Sequence, residues 1–297
     1  MKKEAEAFFR DLQKSICAGL ESMDGSGKFS SDVWERKEGG GGITNTIKGG
    51  NIIEKGGVAF SAVHGPTPEK IMQALGLPAA DFFASGVSIV LHPYNPWHPI
   101  IHMNVRYFEM SEGTWWFGGG IDLTPHYINP FNGKIFHSSL KTVCDKFHPD
   151  YYSRFKNWAD DYFYLAHRGE TRGIGGIFFD RLSTNEPLSK EELFQFVKEV
   201  GNSFVNIYSK QIELIGIKSF TEREKLWQKL RRSRYVEFNL LYDKGTKFGL
   251  DTGGRTESIL LSMPPEAVWE YNYSPEKNSA EEKTLQQLKK AIDWINV

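Results

Sequence analysis

The chain has 297 residues, of which 40% are hydrophobic, so it is long enough to bury a sizeable core and reads as an ordinary globular protein. Its formal net charge of −1 gives no global attraction for nucleic acid. The sequence contains no run of eighteen apolar residues, so no membrane-spanning helix is predicted. The two cysteines, Cys17 and Cys144, lack the spacing of an iron–sulfur cluster or a cysteine zinc site. The N-terminus mixes basic residues with acids such as Glu4 and Asp11, unlike a signal or transit peptide, so a cytoplasmic location is predicted.

The first half of the chain predicts one helix followed by strands. Its opening is an amphipathic helix with apolar residues at helical spacing, namely Phe8, Phe9, Leu12, Ile16 and Leu20. The glycine-rich segment 37–61 mixes turns with short β-branched runs, which favours hairpins. Strand-like runs follow at 85–92, 100–110 and 114–124. Because no helical pattern separates these runs, they should pair antiparallel.

The second half predicts helices and then strands again. Helical patterns cover about 138–148, 151–167 and 188–214, and Ser189 with Glu192 forms a capping box at the start of the last one. Strands are predicted at 234–243 and 256–263, and a helix closes the chain. Together these patterns predict a single α+β domain over residues 1–297, with helices packed against an antiparallel sheet.

A polar ladder marks two neighbouring strands. Alternate side chains of a strand share a face, so His102, Asn104 and Arg106 should point one way, and Ser88 and His92 should share a face of the preceding strand. If the two polar faces align, all five side chains converge. A solvated surface would more often carry Lys, Glu and Thr, so a functional site and a solvated face both remain open.

The next strand adds Asp122 after three glycines, Gly118–Gly120. Glycine inside a strand marks either a bulge or a close approach to the backbone, and a flat ligand would need such clearance. The alternative is a bulged edge in which Asp122 caps a turn. Phosphate-binding and hydrolase motifs are absent, whereas guanidinium groups that fit carboxylates stand at Arg106, Arg168, Arg172 and Arg255. These features indicate a flat, polyanionic organic substrate.

Five segments resemble the oxygen-dependent coproporphyrinogen III oxidase family. They are WERKEGGGGITNTI (34–47), HPYNPWHPIIHMNVRYFE (92–109), WWFGGGIDLTP (115–125), HRGETRGIGGIFFD (167–180) and YVEFNLLYDKGTKFGLDTGGRTESILLSMPP (235–265). The resemblance extends from about residue 34 to 272. Two positions depart from the family pattern: Ile100 replaces a threonine, and Arg181 stands where most members have an acid.

The resemblance implies an enzyme that oxidatively decarboxylates the ring A and B propionates of coproporphyrinogen III to vinyls. The implied products are protoporphyrinogen IX, CO2 and H2O2, with O2 as co-substrate and no organic cofactor. The implied fold is a large antiparallel β-sheet flanked by α-helices on both sides. The implied assembly is a homodimer that associates through about residues 235–271.

Roles for individual residues also follow from the resemblance. It implies that His102 transfers a proton, that Asp122 engages pyrrole N–H groups, and that Arg106 acts in catalysis and holds a propionate. Implied substrate contacts are Ser88, Asn104, Val105, Arg106, Gly253, Gly254 and Arg255, and Arg172 is a further candidate to hold a propionate.

A divalent metal remains an open question at this stage. Positions that match ligands proposed for some bacterial members are His92, His102, His137 and His167, whereas other members are regarded as metal-free. The spacings of ten, thirty-five and thirty residues form no local metal motif, so hydrogen-bonded pocket histidines are the alternative. Two rival functions are also open: a porphyrin carrier, which would not need Asp122 and His102 together, and a histidine–metal oxygenase.

Overall fold

Seven strands form one antiparallel sheet in the computed structural model, which describes residues 1–67, 72, 79–251 and 254–297. In their order across the sheet, the strands are β1 (Ser30–Glu35), β2 (Gly40–Lys48), β3 (Ile53–Pro66), β4 (Asp81–Pro93), β5 (Ile100–Met110), β6 (Trp115–Thr124) and β9 (Gly176–Leu182). A separate two-stranded hairpin consists of β7 (Tyr164–Leu165) and β8 (Glu170–Thr171). The predicted hairpins of the glycine-rich segment and the antiparallel pairing of the next three strands are confirmed.

The helices of the described residues precede, interrupt and follow the sheet. They are α1 (Lys2–Asp24), α2 (Pro130–Asp145), α3 (Tyr151–Tyr162), α4 (Lys190–Ile215), α5 (Glu222–Leu241), α6 (Lys244–Asp251), α7 (Thr256–Leu260) and α8 (Ala280–Gln287). The predicted capping box of Ser189 and Glu192 begins α4. Within the described ranges, none of these helices has both the length and the apolar character needed to cross a membrane.

One face of the sheet carries the main hydrophobic core. Its strands contribute fully buried side chains such as Ile89, Met103 and Ile121, which cluster with Phe9 of α1 and Phe194 of α4. Both helices contact the central strands of the sheet. Burying this apolar face against two amphipathic helices accounts for most of the hydrophobic stabilisation.

The opposite face is covered only in part. Tyr235 of α5 packs on Val90 and Ile100 at one end of the central strands. Near the other edge, Ser258 of α7 forms a hydrogen bond of 2.9 Å with Thr44 of β2. Helices therefore lie on both faces, which confirms the predicted α+β fold with a large, flanked antiparallel sheet.

The strands predicted at 234–243 and 256–263 are wrong, because these residues lie mainly in α5 and α7. A capping box of Thr221 and Glu224 begins α5. Buried side chains then recur at helical spacing, at Trp227, Arg231, Tyr235 and Phe238. The aromatic and branched residues that suggested a strand thus supply one face of a helix, as tertiary packing overrides local β-propensity.

Candidate active site

The register of the central strands places the polar side chains on one face. Ser88 pairs with Asn104, His102 pairs with Asp122, and Arg106 pairs with both Gly86 and Gly118. Directly paired residues of neighbouring strands point to the same side of a sheet. The predicted polar face is therefore continuous across β4, β5 and β6, and it lies opposite the main core.

Small residues make the middle of this face flat. These small residues lie in two cross-strand rows over β3, β4 and β6: one row contains Ala59, Ser88 and Gly120, and the other contains Ser61, Gly86 and Gly118. β4 is the fourth of seven strands, yet Ser88 is exposed, so the described residues leave the sheet uncovered at this position. We call this area the floor. A planar molecule can approach the backbone closely at Ala59, Ser61 and Ser88, whereas the Arg106 side chain lies over Gly118.

A buried chain of three charged or polar groups borders the floor. Arg172 donates from Nη2 to both carboxylate oxygens of Asp122, at 2.8 and 2.7 Å, and Asp122 Oδ1 lies 2.8 Å from His102 Nδ1. The side chains of Asp122 and Arg172 are each 2% exposed, whereas that of His102 is 23% exposed. Of the three groups, His102 is therefore the one that a molecule on the floor can reach.

The charges and hydrogen bonds of Arg172 and His102 keep Asp122 ionised. Burial acts to raise the pKa of Asp122, but the charge of Arg172 and the hydrogen bond from His102 outweigh it and hold that pKa below its usual value. An ionised carboxylate only accepts hydrogen bonds, so Nδ1 of His102 must be the donor. In the tautomer with the hydrogen on Nδ1, the lone pair lies on Nε2, which makes no hydrogen bond to the residues that the structure describes. His102 is thus arranged to accept a proton.

Three aromatic rings surround the guanidinium of Arg172. Its guanidinium carbon lies 4.5, 4.4 and 4.6 Å from the ring centroids of Phe163, Tyr235 and Phe238. Cation–π contacts and the Asp122 pair together compensate for the desolvation of this charge. Arg172 donates to Asp122 and its side chain is only 2% exposed, so it is not placed to meet the propionate predicted for it.

Two arginines lie on opposite sides of the floor. Arg106 donates to Asn104 Oδ1 at 2.6 Å and to Asp180 Oδ1 at 2.8 Å. Arg255, which precedes α7, donates to Asp32 of β1. Since Asp32 and Asn104 share a cross-strand row from β1 to β5, four strand spacings of about 4.8 Å put these contacts roughly 19 Å apart.

The other residues predicted to contact the substrate are Val105, Gly253 and Gly254, and they do not all lie on the floor. The side chain of Val105 is fully buried in the main core on the opposite face, so only its main chain could meet a ligand. Gly254 adjoins Arg255 and is exposed. Gly253 lies outside the residues that the structure describes.

The four histidines considered as metal ligands are not brought together. His92 bonds to the carbonyl of Ser262, while other partners hold His137 and His167. Burial lowers the pKa of both His92 and His137 to about 3, so both rings are neutral. In the described part of the chain, no three His, Cys, Asp or Glu side chains form a group that could hold a metal ion, so these four histidines do not form the ligand set that was left open above.

Comparison with known proteins places the chain in a family. The family model described as coproporphyrinogen III oxidase matches residues 4–294. This chain belongs to the coproporphyrinogen III oxidase family. The human oxygen-dependent coproporphyrinogen-III oxidase, mitochondrial, is 50% identical over 309 residues, covering 99% of this chain and 67% of the human protein. The Arabidopsis thaliana coproporphyrinogen-III oxidase 1, chloroplastic, is 48% identical over 305 residues, covering 98% of this chain and 78% of the plant protein.

These family members contradict the predicted cytoplasmic location. The human and mouse relatives are named mitochondrial, and the Arabidopsis relative is named chloroplastic. The prediction rested only on the composition of the N-terminal segment, which describes that segment and does not test where the protein resides.

Several residues of the site in this family member were not predicted from the sequence. Asp180 was not assigned a role, although it shares a strand face with Gly176 and Phe178 beside the floor. Tyr235 and Asn239 were placed in a predicted strand, whereas α5 brings both to Arg172. Strand parity alone could have identified Asp180; the other two required the helix to be recognised first.

Proposed function

We propose that this chain carries out the oxygen-dependent oxidative decarboxylation of the ring A and B propionates of coproporphyrinogen III to vinyls. The products are protoporphyrinogen IX, CO2 and H2O2. The observation that carries this proposal is the proton-accepting His102, held by the buried Asp122–Arg172 pair at the edge of an open, flat floor. A carrier would need the floor and the arginines but not an oriented proton acceptor.

The chemistry requires a base and an arranged substrate. In each round a propionate loses one hydrogen from the carbon next to the pyrrole, its carboxylate leaves as CO2, and a vinyl double bond forms. The two electrons released reduce O2, which takes up that hydrogen as a proton together with one proton from solvent and leaves as H2O2. His102 accepts the proton that the substrate loses, and the fixed charge of Asp122 stabilises the imidazolium that results.

Substrate contacts come from the floor and its two sides. Arg106 and Arg255 hold propionates through charge-assisted hydrogen bonds, and Ser88 and Asn104 offer polar groups between them. Arg172 acts through Asp122 and is a positioning residue. Since both oxygens of Asp122 are engaged and its side chain is 2% exposed, it acts on the substrate through His102.

We also propose that residues 1–297 form one domain and that the protein is a homodimer. Large apolar side chains are exposed within residues 235–271, including Leu240, Leu241, Trp269 and Tyr271. Exposed apolar groups concentrated in one region favour association with a second copy. Sedimentation equilibrium should give twice the chain mass, and a Leu241→Glu variant should shift the mass toward that of a monomer.

The activity is tested with purified protein and no added cofactor. Coproporphyrinogen III should be converted to protoporphyrinogen IX in air and not under strict anaerobic conditions, with one H2O2 formed per CO2. Turnover without O2, or a strict requirement for a nicotinamide, would refute the proposal. A parallel assay after exhaustive chelation should retain most of the activity, because the four candidate histidines do not converge.

A further inference from the structure

A β-bulge occurs in β9 beside the floor. Phe117 of β6 pairs with Leu182 and Gly119 pairs with Phe179, so the single residue Gly118 faces two residues of β9, Asp180 and Arg181. Arg181 has a φ of 53°, in the left-handed region that residues other than glycine seldom adopt. Bulges next to functional sites often redirect a side chain, and a backbone held in a sparsely populated region suggests a functional constraint.

Asp180 shares a strand face with Phe178, which pairs with Gly120, so Asp180 faces the floor just before the bulge at Arg181. A Cβ atom added to Gly118 would lie 2.7 Å from Asp180 Oδ1 and 2.8 Å from Arg106 Cζ, so the Asp180–Arg106 pair rests directly on this glycine. The two side chains are 34% and 35% exposed. Asp180 therefore presents a carboxylate to Arg106 at the place where Arg106 would bind a substrate carboxylate.

The strength of this pair makes an exchange feasible. A partly exposed ion pair contributes little to stability, typically well under the strength of a buried pair, so its replacement by another carboxylate is close to balanced. By contrast, the buried Asp122–Arg172 pair cannot exchange partners without leaving a desolvated charge. The two acid–arginine pairs of the site thus have different properties: one is fixed, and the other is open to competition.

We infer that Asp180 is a specificity-determining residue that competes with a substrate propionate for Arg106. When a carboxylate arrives, it displaces Asp180 from the guanidinium; when the ligand leaves, or offers no carboxylate at this position, Asp180 pairs with Arg106 again. This inference rests on the proposed function for the nature of the ligand. It implies that Asp180 weakens the binding of substrate and assists exchange of the ligand at Arg106.

The test uses coproporphyrin III, an unreactive tetracarboxylate, in fluorescence titrations at 0.15 M salt. Asp180→Asn should lower its Kd by about twofold to fivefold, the range expected for an exposed ion pair. The matched control is Asp145→Asn, which removes an exposed carboxylate paired with Lys141 on α2, and it should leave Kd unchanged. In an Arg106→Gln background, Asp180→Asn should have almost no effect, because no guanidinium remains to compete for.

Each outcome is decisive. If Asp180→Asn raises Kd, Asp180 orients Arg106 and does not compete with the ligand, and the inference fails. It fails equally if Kd does not change, or if the gain persists in the Arg106→Gln background, since that would be simple charge repulsion. Turnover of coproporphyrinogen III by the wild-type protein is measured separately. Binding that follows the expected pattern without turnover would refute the proposed function and leave the role of Asp180 intact.

Discussion

Replacing Asp122 by asparagine should affect both stability and catalysis, through two separable effects. The substitution keeps the size of the side chain but removes its charge, which leaves Arg172 buried without its ion-pair partner. Breaking a buried ion pair from one side costs about 3–5 kcal/mol. For a chain of this length that corresponds to a fall in Tm of roughly 5–8 °C.

The catalytic effect arises at His102. An amide can accept a hydrogen bond from Nδ1, but it can also donate to that nitrogen and favour the other tautomer, and it gives no charge to stabilise an imidazolium. Loss of such an oriented electrostatic contact lowers kcat by about a hundredfold or more. KM should change little, because Asp122 is not exposed to the floor.

A double variant separates the two effects. In Asp122→Asn/Arg172→Met the buried charge is also removed, and replacing a buried pair by uncharged groups is often close to neutral for stability. We therefore expect Tm to recover in the double variant while kcat stays low. Thermal melts and steady-state kinetics on wild type, single and double variants measure this. Near wild-type Tm and kcat for Asp122→Asn would refute the reasoning, and recovery of kcat together with Tm would show that the loss was only structural.

Three further predictions concern other residues. Arg106→Gln should raise KM with a smaller change in kcat, since a propionate contact exists in ground and transition states alike; an equal fall in kcat and kcat/KM in steady-state kinetics would contradict this. Burial acts to raise the pKa of Asp24, but five backbone N–H donors hold it at about 2, so stability present above pH 4 should be lost as pH falls toward 2. Urea titrations should show a weaker acid dependence for Asp24→Asn, and identical slopes would contradict this. Burial raises the thiol pKa of Cys17 to about 11 and of Cys144 to about 12, so a disulfide reagent at pH 8 should label neither until the protein unfolds; rapid labelling of the native protein would contradict this.

Elements with local patterns could be predicted from the amino-acid sequence. Apolar spacing gave α1, a capping box gave the start of α4, and glycine turns with alternating strands gave the hairpins from β2 to β6. Parity within β5 placed His102, Asn104 and Arg106 on one face without any knowledge of the fold. The family motifs supplied the expected activity, which the comparisons bear out at the level of the family.

Contacts between groups that are distant in sequence could not be predicted in this way, because they depend on how the chain folds. Arg172 lies fifty residues from Asp122 in sequence, and its buried pair depends on the register of β6 and on the packing of α5. Residues 234–241 are helical because a helix buries Tyr235 and Phe238 together on one of its faces. The pairing of Asp180 with Arg106 depends on the register between β5, β6 and β9, which no local pattern predicts. Periodicity is set by neighbouring residues, whereas ion pairs are set by register and by helix packing, which the folded chain alone defines.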